Sequence, residues 1–187
     1  MTYAILDNDE LLRLALDAMN TGKDADAVVM LKTLVERDPA NAHGQYLLAA
    51  QHAQMGLLDR AEAGFRAAVG NGLELPVARF QLGQLLLVKG DSTEAKATLE
   101  PLATSDDLAL AAYARALMAA ADENPQAAIS QLNEGLALPQ SIPSLGADMQ
   151  RLLGNLQALA SQSEAGQASL GNAPPAAMYL SNYGRQN

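Results

Sequence analysis

A chain of 187 residues, 49% of them hydrophobic, carries enough apolar mass for one continuous core. Its formal charge of −9, from 21 acidic against 12 basic residues, argues against a basic phosphate-binding surface and so against nucleic acid as a general ligand. With no Cys there is no disulfide framework, thiolate metal site or cysteine nucleophile, and no run approaches the roughly 18 apolar residues of a membrane span.

Alanine and leucine supply most of the apolar fraction, aromatics are 4%, and Trp is absent. Ala and Leu are the best apolar helix formers, whereas strands favour the β-branched and aromatic residues that are scarce here, so an all-α fold is expected. The first residues, up to Asp7, lack a basic segment followed by a long apolar one, so the expected location is cytoplasmic.

Asp7 and Glu10 have the spacing of a capping box. Leu11, Leu12, Leu14, Ala15, Ala18 and Met19 follow at helical spacing, with a stop at Asn20-Thr21-Gly22. A second helix starts near Asp24, carries Ala27, Val28, Leu31, Leu34 and Val35, and ends at Asp38-Pro39, because a residue before proline leaves the α region. The next pair comprises a helix over 41–55, a turn at Gly56, and a helix capped by Asp59 with Glu62, stopping at Gly70-Asn71-Gly72. Pro76 suits the first turn of a fifth helix, which ends at Lys89-Gly90. Its partner begins near Asp91 to Thr93, and Pro101 should shorten or kink it. A fourth pair follows, one helix from Asp106-Asp107 and one from Pro125, and an amphipathic helix over 145–161 closes the series. Residues 162–187 read as an irregular tail rich in Ser, Gln, Gly, Ala and Pro, ending in the apolar run Met178-Tyr179-Leu180 and Tyr183.

These elements repeat. Gly22, Gly56 and Gly90 are 34 residues apart, as are Ala27, Ala61 and Ala95, and Leu14, Leu48 and Leu82. Leu31, Phe65 and Leu99 keep the same offset, whereas in the fourth pair it places Asn124 at the turn glycine. Self-similarity of this period signals stacked helix–turn–helix units. The units run about 8–40, 41–75, 76–104 and, in degenerate form, 105–137, and the last helix is expected to cap the apolar end of the array.

The pattern resembles the tetratricopeptide repeat (TPR) family. Leu82-Gly83 with Ala95 and Leu99, Leu48-Ala49 with Ala61 and Phe65, and Leu14-Ala15 with Ala27, Leu31 and Pro39 answer its small-and-large alternation. The leading aromatic is replaced by Leu11, Gln45 and Arg79, and the later one by Ala18, His52 and Leu86. The resemblance implies an α-solenoid, a right-handed superhelix of antiparallel helix pairs, whose first helices line a concave groove for a peptide or partner helix. Carried over by position, that groove would take Leu12, Leu16, Met19 and Asn20 from the first unit. The second would add His43, Tyr46, Ala50, Ala53 and Gln54, and the third Val77, Phe80, Gln84, Leu87 and Val88. With no Lys or Arg among them, a carboxylate-clamp site for acidic peptide ends is disfavoured and an apolar segment preferred. A tight superhelix buries part of its inner wall, so some of Leu12, Leu16, Val77 and Leu87 are expected to pack between helices instead.

No catalytic constellation, metal site or cofactor is expected. His43 and His52, nine residues apart, fall on opposite faces of one helix at about 100° per residue. Gly166 and Gly171 have phosphate-loop spacing, but Asn172 replaces the required lysine. The expected function is a non-enzymatic adaptor binding an apolar peptide or helix. Two alternatives are a chaperone for hydrophobic segments of secretion or membrane-complex subunits, and a homo-oligomeric scaffold that associates through its tail.

Overall fold

The structure, a computed structural model, describes residues 5–70 and 75–164. Among these residues there are nine α-helices and no strand, and no helix is long and apolar enough to cross a membrane. The order is α1 (Asn8–Asn20), α2 (Asp24–Arg37), α3 (Ala42–Gln54), α4 (Leu58–Gly70), α5 (Pro76–Lys89), α6 (Ser92–Leu99), α7 (Leu108–Ala121), α8 (Pro125–Ala137) and α9 (Pro143–Glu164). The residues group into two compact units, divided within α5 between Arg79 and Phe80.

In the first unit α1 packs on α2, α2 on α3, and α3 on α4. Leu11, Ala15, Ala18, Ala27, Met30, Leu31, Leu34 and Leu48 form one buried cluster, against which Leu12 and Met19 lie half-buried. The capping box at the start of α1 is closed in both directions: the Asp7 carboxylate accepts from Glu10 N at 2.8 Å, and Asp7 N donates to the Glu10 carboxylate at 2.9 Å. In the second unit α6 packs on α7, α7 on α8, and α8 on α9, whose buried face carries Leu145, Met149, Leu152, Leu153 and Leu156. Pro101 acts as expected. Lacking an N–H, it ends α6 at Leu99, and the chain tightens into a 3-10 helix, Glu100–Thr104.

The turns explain the repeat. Gly22, Gly56 and Gly90 have φ of 70°, 73° and 86°, the left-handed region in which a side chain costs free energy. Across each turn an amide reaches back five residues: Lys23 N to Ala18 O, Leu57 N to His52 O, and Asp91 N to Leu86 O. Asn124 N to Ala119 O is the same bond, and the positive-φ residue of that turn is Glu123, at 55°. The fourth unit therefore repeats the fold one residue early, and Asn124 is the N-cap of α8 rather than the turn residue. Replacing Glu123 by Gly should raise unfolding free energy by about 0.5–1 kcal/mol, and Gly56→Ala should lower it by about 1 kcal/mol. Paired thermal melts check both signs.

Two expectations are corrected. Asp59 does not cap α4: the shared turn puts Leu57 in that place, its carbonyl accepting from Ala61 N at 3.0 Å, and Glu62 pairs with Arg66 at 2.8 Å. The last helix is longer than 145–161, starting at Pro143, where proline is tolerated, and running to Glu164. The remainder of the expected irregular tail, with Met178-Tyr179-Leu180, and the proposed stop at Asn71-Gly72 lie outside the described residues.

Candidate functional site

The residues expected to line a groove fall into both units. In the first, Leu16 is 40% exposed on α1, with Asn20 exposed beside it and Leu12 and Met19 half-buried. On α3, His43 and Gln54 are exposed, Tyr46 and Ala50 half-buried, and Ala53 buried; Val77 at the start of α5 is half-buried. The Tyr46 ring packs on Phe65 of α4 at 6.1 Å between centroids, tilted by 41°. This contact holds Tyr46 in place, and burial pushes its phenol pKa up, so near neutral pH the hydroxyl keeps its proton and can donate.

In the second unit the corresponding side chains are closed to solvent. Phe80 and Leu87 are fully buried, Gln84 is 5% exposed, and only Val88 is half-buried. Phe80 and Leu87 are thus core side chains in this structure. The repeat offset also reveals positions left out of the sequence reading. Asp9, in the place of His43 and Val77, is exposed on the same face as Leu16. Arg13 is exposed next to it, its Nε donating to the Asp9 carbonyl at 3.5 Å, so this face of α1 combines the apolar Leu12, Leu16 and Met19 with two charged residues.

His43 and His52 lie on opposite faces of α3, the first exposed and the second 8% exposed. Ala18, His52 and Leu86 share one repeat position and all three are buried, so His52 stands where a core residue belongs. Its imidazole pKa is lowered, first by burial and then by Lys32 of α2 and Arg60 of α4. The unfolded chain therefore takes up this proton more readily than the folded one. Stability should fall as pH drops below the ordinary histidine value of 6.5, and the loss should accumulate until the lowered folded value is passed. Melting temperature measured from pH 7.5 to pH 5 should decline less steeply in His52→Gln than in the wild type. Among the described residues no group of three or more His, Asp or Glu is placed to hold a metal ion.

No protein-family model matches the chain, and no curated protein matches it. Solved structures do. YrrB, described as a TPR protein with an unusual peptide-binding site, is 17% identical, with 86% of this chain covering 81% of that one at a TM-score of 0.59. A double mutant of MamA RS-1 is 18% identical over 96% of this chain and 94% of that one, TM-score 0.59. PilF of Pseudomonas aeruginosa is 22% identical over 96% and 78%, TM-score 0.62. All three are TPR proteins, and the similarity shows the fold of this chain to be TPR-like: all-α, built of adjacent antiparallel helix pairs.

Proposed function

We propose that the protein is a non-enzymatic adaptor that binds an apolar peptide or helix on the first-helix faces of its N-terminal unit. The observation that carries this reading is Leu16, 40% exposed on α1 beside the half-buried Leu12 and Met19, with Tyr46 half-buried on α3 of the same unit. An exposed leucine continuous with buried ones gains contact area when a ligand covers it, and the braced Tyr46 adds a rigid aromatic surface with a free donor. YrrB, a TPR protein with a peptide-binding site, supports peptide as the ligand class.

The test is selection of binders from a displayed peptide library, followed by anisotropy titration of the best sequences. Apolar peptides with micromolar affinity, about 8 kcal/mol, are expected. Leu16→Asp should weaken them at least about tenfold, or 1.4 kcal/mol, while the helical circular dichroism stays unchanged because Leu16 lies at the surface. Unchanged affinity in that variant, or selection of uniformly charged peptides, overturns the reading.

A further inference from the structure

From Phe80 to Leu87 every residue of α5 is buried except Gln81, which is half-buried. Gln81 and Gln84 are three residues apart, so they are neighbours on one face, with about 5–6 Å between their Cβ atoms. Phe80, Leu85 and Leu87, which border them along the helix, are fully buried. Gln81 Oε1 is sealed from solvent and has no hydrogen-bond partner among the described residues. Gln84 is 5% exposed, and its carboxamide makes no hydrogen bond to the described residues either.

The same two places occur in the other first helices. Gln81 stands where Arg13, Leu47 and Ala114 stand, and Gln84 where Leu16, Ala50 and Leu117 stand, the fourth unit being counted one residue early. On α1 the pair is open to solvent, whereas on α7 Ala114 and Leu117 are both 0% exposed. Apolar side chains are therefore enough to close this face. In α5 the face is closed around two carboxamides instead. A buried carbonyl oxygen without a donor costs more than the apolar group that could replace it, because it has lost its hydration and gained no bond. In an apolar frame such a group is satisfied by a third party.

We infer that Gln81 and Gln84 together hold one internal water molecule against α5. Its first hydrogen goes to Gln81 Oε1. The Gln84 carboxamide, with one acceptor and two donors, binds the same molecule through its second hydrogen or a lone pair. Buried waters are held in this way by otherwise unsatisfied polar groups, and the closure of Gln84 limits the occupant to a molecule of about that size. The position that is open as Leu16 in α1 thus serves in α5 to bind solvent inside the fold.

A high-resolution crystal structure of the full-length protein should show an ordered water within about 3.2 Å of Gln81 Oε1 and of one polar atom of the Gln84 carboxamide. In solution, the Gln84 side-chain amide protons should give a nuclear Overhauser effect to water, and Gln81→Leu should abolish it, because the shared molecule is lost. Gln81→Leu and Gln84→Leu should each lower the melting temperature by about 2–4 °C, since each leaves the other carboxamide buried with less to bond to. The double variant should recover most of that loss, a coupling that independent side chains do not show. Ordered side chains with no water between them, a water signal at Gln84 that survives Gln81→Leu, or additive melting losses each overturn the inference. If a variant does not fold, the wild-type crystal structure and water signal still decide it. Leu16 and Tyr46 are untouched throughout, so failure here leaves the adaptor reading as it stands.

Discussion

Phe65→Ala is expected to lower the unfolding free energy by about 3–4 kcal/mol, within the range for emptying a core aromatic site. Phe65 is fully buried in α4, and the ring it supports is that of Tyr46 in α3. Domains of this size have about 5–15 kcal/mol of stability in total, so the loss is large but survivable at low temperature. The variant links packing to the proposed binding. With its ring partner gone, Tyr46 has a larger choice of rotamers, and under the adaptor reading proposed above part of the preorganisation that favours the ligand should be lost. A urea titration measures the first effect. Anisotropy with a selected apolar peptide, at a temperature where the variant is folded, measures the second, and Phe65→Leu should recover part of both.

Gly135→Ala is expected to cost about 1–3 kcal/mol by overpacking, although alanine is the better helix former. A Cβ at this position would meet Tyr113 Cε1 at 2.5 Å and Cδ1 at 2.7 Å. The ring has little room to retreat, because its hydroxyl donates to Gln140, whose amide donates in turn to the carbonyls of Gly135 and Leu138 at 2.9 and 2.7 Å. The same network holds the chain segment between α8 and α9, so the damage should reach α9. Amide exchange in Leu145–Leu156 should accelerate in Gly135→Ala. Combining it with Tyr113→Leu should recover part of the loss, since the clash disappears with the ring. A neutral or stabilising Gly135→Ala would mean that the two helices are packed less closely than their geometry indicates.

The helices and their stops were legible because the signals are local. Asp7 and Glu10, Pro76, Pro101 and the glycines at 34-residue spacing each act on their own stretch of backbone, and the helix ends fall at or near them. Local signals misled in two places. Asp59 and Glu62 have the spacing of a capping box, but the turn after Gly56 had already assigned the cap to Leu57. Asn124 matched the glycine register, yet Glu123 adopts the left-handed conformation, because the hydrogen bond from Asn124 N to Ala119 O recreates the turn one residue earlier. The geometry of the turn was repeated where its residue type was not.

By itself the sequence determined the class of the fold, the helix pairs, their period and the small-to-large alternation that lets paired helices approach, since all of these follow from backbone preference and from apolar spacing along one chain. Only the tertiary structure decided which of the equivalent first-helix positions are open to solvent. Leu16 and Leu117 occupy the same repeat position and are the same residue, yet one is 40% exposed and the other fully buried. Burial is a property of what lies against a side chain, and no periodicity within a helix records that.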